Sequence, residues 1–275
     1  MSNKDRIIVL LLAVLLAFTL LSISLSIAFF IGGGVGLEVP VDTLLPVETD
    51  GAHAANGGGV DQPRVLAETI DRGEDYLRRI VFVGDSTTYH LIARGALPDG
   101  VETKQVWCPS NGTLLLDASI TTLKIVYPKT GAEMTVAEAS ALEKPEYMVL
   151  TIGLNGAHSF RKEVYVGFYG KLIEAIKESS PETKIILQSV FPVAANEKTW
   201  TSLTPAELNL KIDTINGWAK ELTLNYENVC FLDTQSVLRD GDMFLKNEYQ
   251  SGDGIHLTAD GYRAILRYVR THAWD

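Results

Sequence analysis

Four short segments of the chain hold residue types suited to acyl-transfer chemistry, and each stands at or after an apolar run or in a loop. Gly84-Asp85-Ser86-Thr87 follows the run at 79–83. A serine at a strand-to-helix turn exposes its hydroxyl, and its own N–H is free to face an oxyanion. Asp85 or Ser86 would serve equally well as a plain helix cap. Asp253-Gly254-Ile255-His256-Leu257-Thr258 sets a carboxylate three residues before a histidine, just ahead of a helix. Asp253 can accept the imidazole Nδ1–H of His256 and leave Nε2 to take a proton from Ser86. Taken alone, this segment also reads as a solvated loop ending in a cap. In Gly153-Leu154-Asn155-Gly156 the Asn155 amide can donate to an oxyanion, although Asn-Gly pairs commonly make simple turns. Ser110-Asn111-Gly112 is the weakest of the four: Gly112 would let a backbone N–H approach the same point, yet most loop glycines only form turns.

Asp85, Thr87, His90 and His158 lie close in sequence to these segments and are candidates to line a pocket. Asp85, Asp253 and His256 would make a thin ligand set for a metal, so neither a metal nor a cofactor is expected.

These residues need a scaffold that brings distant segments to one edge. Residues 65–77 suit a short amphipathic helix, and the apolar runs at 79–84, 147–152 and 184–190 suit buried strands. Shorter strands are expected at 104–107 and 228–232, and Pro128-Lys129-Thr130-Gly131 joins 121–127 to 133–136 as a hairpin. Val164, Phe168, Leu172, Ile173 and Ile176 recur at helical spacing. Thr204-Pro205-Ala206-Glu207 opens a helix to about Leu224 with a capping box, and Thr258 caps another to about Arg270. Strands alternating with helices imply a mostly parallel sheet covered on both faces, a three-layer α/β domain. In such sheets ligands bind at the carboxyl ends of the strands, which is where the four segments fall.

Ser86, Gly112, Asn155 and His256 occur in the order, and partly within the motifs, that mark the SGNH/GDSL hydrolases, and the region from Arg79 to Arg270 resembles that family. The resemblance implies a flavodoxin-like α/β/α sandwich with five strands in the order 2-1-3-4-5. It also implies an oxyanion hole formed by Ser86, Gly112 and Asn155, and a base, His256, oriented by Asp253. Thr87 replaces the leucine of GDSL, and Gly156 replaces the aspartate of the family's GxND motif. With that strand order, Cys108 after the second strand and Cys230 on the fifth lie near opposite edges. A disulfide needs Cα atoms within about 7 Å, so two free thiols are expected.

The chain has 275 residues and a formal net charge of −10, with no basic run that would serve nucleic-acid phosphates. Residues 7–31 carry no charge, and at about 1.5 Å per residue they are long enough to span a bilayer. Lys4 and Arg6 precede this run and acidic residues follow it, so the N-terminus is expected in the cytoplasm and the remainder outside. The expected organisation is a cytoplasmic tip at 1–6, a single-pass signal anchor at 7–31, a flexible linker at 32–63 and the hydrolase domain at 64–275. Outward-facing location and family together suggest a serine esterase acting on O-acetyl groups of carbohydrate or cell-wall polymer. Lipase, thioesterase and acyltransferase activities would use the same residues, and a surface binding module that has lost turnover is the reading from another class. The 121–136 hairpin, inserted between the Gly112 and Asn155 loops, is a candidate wall of the pocket.

Overall fold

The computed structural model describes residues 62–274 apart from 197, 199 and 200. The expected span at 7–31, and all but the last two residues of the expected linker, lie outside the described residues. Among the described residues, no helix is long and apolar enough to cross a membrane.

Among the described residues, seven strands and seven α-helices follow in order: α1 (Gly73–Arg78), β1 (Ile80–Gly84), α2 (Ser86–Ala93), β2 (Val106–Trp107), β3 (Lys124–Val126), β4 (Glu133–Thr135), α3 (Val136–Glu143), β5 (Tyr147–Thr151), α4 (Lys162–Ser179), β6 (Lys184–Gln188), α5 (Pro205–Leu222), β7 (Val229–Leu232), α6 (Gln235–Leu238) and α7 (Ala259–Thr271). Five of the strands form a parallel sheet in the order β2-β1-β5-β6-β7. The antiparallel hairpin β3–β4 stands apart from this sheet but intervenes in chain order, so the five sheet strands counted alone run 2-1-3-4-5.

Every residue of β1, β5 and β7 is buried, as expected for parallel strands sandwiched between helices. Alternation along each strand divides the interior in two. Val81, Val83, Met148, Leu150, Ile185 and Leu187 pack with α4 and α5 through Leu172, Ile173, Leu208 and Ile212. Ile80, Phe82, Tyr147, Val149 and Ile186 pack on the other face with α1, α2 and α7 through Tyr76, Leu91, Tyr262 and Ile265. The three layers follow from this period of two.

Two expectations need correction here. Residues 65–77 are not one helix, since only α1 forms. Upstream of it, Phe231 N–H donates to the Arg64 carbonyl at 2.8 Å and Leu66 N–H to the Phe231 carbonyl at 2.9 Å, which covers the open edge of β7. An exposed strand edge offers hydrogen bonds that a short amphipathic helix does not match. No residue of 121–136 lines the cavity beside Asn155, so the hairpin is not the wall expected there. Ile125 and Tyr127 are buried in the interior, Tyr127 against Trp107 with ring centres 5.9 Å apart, and Val126 N–H donates to the Cys108 carbonyl at 2.9 Å.

Candidate active site

β1 delivers its last residue, Gly84, into a crowded corner. A Cβ there would lie 2.1 Å from Thr88 Oγ1 and 2.3 Å from the Thr151 carbonyl oxygen, so only glycine lets β1 and α2 meet this closely. Asp85 caps α2, accepting from Thr87 N–H at 3.0 Å and from the Thr87 hydroxyl at 2.7 Å. Ser86 is thus the first residue of the helix, where an N–H has no intrahelical acceptor.

The second segment is held just as firmly. Gln250 Oε1 accepts from Gly252 and Gly254 N–H, Ser251 N–H donates to the His256 carbonyl at 2.8 Å, and Ala194 N–H donates to the Gly254 carbonyl at 2.8 Å. Asp253 Oδ1 accepts from the N–H groups of Ile255 and His256, both at 2.9 Å. Thr258 caps α7, whose buried Tyr262 donates its hydroxyl to the Thr87 carbonyl at 2.5 Å and ties α7 to α2.

Two folded segments 170 residues apart therefore meet in one line. Asp253 Oδ2 lies 2.6 Å from His256 Nδ1, and His256 Nε2 lies 2.9 Å from Ser86 Oγ. Burial works against ionisation of Asp253, but the hydrogen bonds from His256 Nδ1 and from the Ile255 and His256 N–H groups outweigh it and hold the carboxyl at about 2. A carboxylate so held keeps the proton of His256 on Nδ1 and presents a basic Nε2 to the serine hydroxyl.

The two oxyanion candidates fare differently. Asn155 is exposed just past β5 and borders a cavity of about 240 Å³ with Leu114, Leu116, Gly153 and Phe160. Gly112 has φ +76° and is buried against the Tyr89 ring, and its N–H donates to the Pro109 carbonyl at 2.8 Å. That N–H closes a turn and is not presented to Ser86, which corrects the expectation for Gly112. The Ser86 N–H and the Asn155 side chain remain as the candidate donors.

Of the pocket candidates, Asp85 and Thr87 are buried and bonded to each other, so neither lines an open pocket. Burial pushes the Asp85 carboxyl up, against the pull of its bonds from Thr87. His158 is exposed on the turn after Asn155, outside the residues lining the cavity. His90 is in contact with the site: its ring stacks on that of His256. Gln250, which shapes the histidine loop, gave no signal in the sequence, because a glutamine among glycines fits any turn. Cys108, just after β2, and Cys230, on β7, are buried free thiols at opposite edges of the sheet, and burial pushes them up to about 12 and about 11.

Residues 82–264 match the model of the GDSL-like lipase/acylhydrolase family. No curated protein sequence matches the chain at a significant level. Among solved structures, a Streptococcus pneumoniae protein provisionally described as a platelet activating factor is 20% identical, with a TM-score of 0.51 over 73% of this chain and 91% of that one. A carbohydrate esterase family 3 protein from Talaromyces cellulolyticus is 15% identical, with a TM-score of 0.43 over 70% of this chain and 93% of that one. A family 3 carbohydrate esterase from Clostridium thermocellum is 16% identical, with a TM-score of 0.42 and the same two coverages, 70% and 93%. At such identities the first of these speaks to the fold alone.

Proposed function

The chain belongs to the GDSL-like lipase/acylhydrolase family and is an ester-bond hydrolase, and from that premise we propose a membrane-anchored extracytoplasmic serine esterase that removes short acyl groups from carbohydrate or cell-wall polymer. The observation that carries the mechanism is the hydrogen-bonded line from Asp253 through His256 to Ser86, at 2.6 and 2.9 Å.

His256 Nε2 takes the hydroxyl proton as Ser86 Oγ attacks the ester carbonyl. The oxyanion rests on the Ser86 N–H and the Asn155 side-chain amide. The C–O bond then breaks, the alcohol leaves with the proton from His256, and the acyl group stays on Ser86. A water molecule deprotonated by the same histidine attacks the acyl-serine, and the acid departs as the proton returns to Ser86 Oγ.

A small cavity beside Asn155, the proposed oxyanion donor, favours short acyl groups. The cavity of about 240 Å³ beside Asn155 is walled by Leu114, Leu116 and Phe160, and Asp117 and Asn155 bring polar groups to its rim. It lies below the roughly 300–1,000 Å³ usual for drug-sized ligands. Polymer as the acyl carrier is supported by the uncharged run at 7–31, which would hold the domain at the outer membrane face beside exported glycans. The experiment is acetate release from a panel of acetylated wall and plant polysaccharides, with Ser86→Ala as control. The expected result is release from at least one polymer that the variant abolishes. Release from none, with turnover of long-chain acyl esters instead, would overturn the substrate class.

A further inference from the structure

His90 falls one turn after Ser86 on α2, so the two share a helix face. Its ring lies over that of His256 with centroids 4.1 Å apart and planes 23° from parallel. The edge of Tyr89 approaches at 6.2 Å from the preceding position. The Nδ1 atom of His90 is buried and has no hydrogen-bond partner.

These contacts bear on a weakness of the Asp253–His256–Ser86 line. Its two hydrogen bonds fix opposite corners of the His256 ring but oppose little a roll about the axis between them. A flat ring laid on one face does oppose it. The overlying ring must also be uncharged, because His256 becomes a cation during the reaction and like charges 4.1 Å apart repel. An imidazolium at position 90 would be desolvated at Nδ1 and unpaired there. The charged or titratable groups acting on it are His256 and Asp253 from the histidine loop and Arg94 from the end of α2. Burial first, then His256 and Arg94, push ionisation of His90 down, and Asp253 opposes them.

We propose that His90 is a positioning residue: a neutral ring stacked on His256 that holds the base in the plane joining Asp253 to Ser86 while His256 carries the proton. The inference rests on the serine-esterase reading of the same site.

The test uses the full chain and p-nitrophenyl acetate, comparing His90→Ala, which removes the ring, with His90→Phe, which keeps an uncharged one. His90→Ala should lower kcat about tenfold or more and leave KM within about twofold, and His90→Phe should recover kcat to within about threefold of the parent. The acid limb of kcat/KM should follow a single ionisation in both the parent and His90→Phe. Should the alanine variant fail to fold, His90→Gln replaces it with the same expectation. Parental kcat without the ring, a phenylalanine variant as slow as the alanine one, or a parental acid limb with a slope of two would each overturn the inference. A parent that neither turns over ester nor reacts with a fluorophosphonate at Ser86 overturns the serine-esterase reading and this inference with it. The two failures are therefore told apart by the parent alone.

Discussion

Ser86 could be a helix cap and nothing more on its local sequence, and it is Asp85 that fills that role. What distinguishes Ser86 is its partner 170 residues away, whose own proton is fixed by a carboxylate that its hydrogen bonds hold ionised down to about 2. The sign follows from the shift. Asp253 ionises lower in the folded protein, at about 2, than its ordinary value of 3.8. Its stabilising contribution is therefore full above the ordinary value and is lost as pH falls through the folded one. Asp253→Asn removes the charge that fixes the His256 tautomer, and kcat should fall by about 10²–10⁴-fold with the fold retained. Steady-state kinetics at neutral pH check this, and an unchanged kcat would transfer the orienting role to a backbone carbonyl.

The elements that hold these residues were legible to different degrees. The apolar runs announced β1, β5 and β6, because strands buried on both faces cannot carry charge in the middle. Thr204 and Glu207 announced α5 through a capping box that the structure contains. The same signal, Thr135 with Glu138, opens α3 but is masked by the strand pattern of the hairpin that runs into it. Residues 65–77 misled because amphipathic spacing is local and an uncovered strand edge is not. The Gly112 turn misled for a like reason, since the carbonyl that takes its N–H is a matter of loop closure. Least legible were the two buried asparagines of α5. Asn209 accepts from Val193 N–H at 2.8 Å and donates to its carbonyl at 2.9 Å, and Asn216 treats Val190 alike at 2.8 and 3.0 Å. Between them they shape the loop whose Ala194 N–H holds Gly254 beside His256. Asn209→Ala leaves the buried Val193 N–H unpaired, while the Val193 carbonyl keeps the Leu245 N–H, so it should cost about 1–3 kcal/mol in denaturant unfolding and lower kcat as well. A midpoint equal to the parent's would show that water replaces the amide.

For the molecule as a whole, the parallel sheet is what makes the chemistry local. Gly84 ends β1 and Thr151 ends β5, side by side in register, so the Ser86 and Asn155 loops leave the sheet at neighbouring points. The histidine loop leads into α7, whose Tyr262 ties that helix to α2. The acidic balance of the chain, a net charge of −10, favours dispersion and disfavours nucleic acid. Family order made Ser86, Asp253 and His256 readable before any geometry, whereas the cavity beside Asn155 and the His90 stack exist only once the layers close. The claim on which the rest depends is that Ser86 is the nucleophile. Intact mass after exposure to a fluorophosphonate, run beside hydrolysis of p-nitrophenyl acetate, tests it most directly. One adduct should form, located on Ser86, and Ser86→Ala should lose both adduct and turnover while melting at the parental temperature. Turnover retained in that variant, or an adduct at another residue, would contradict the account.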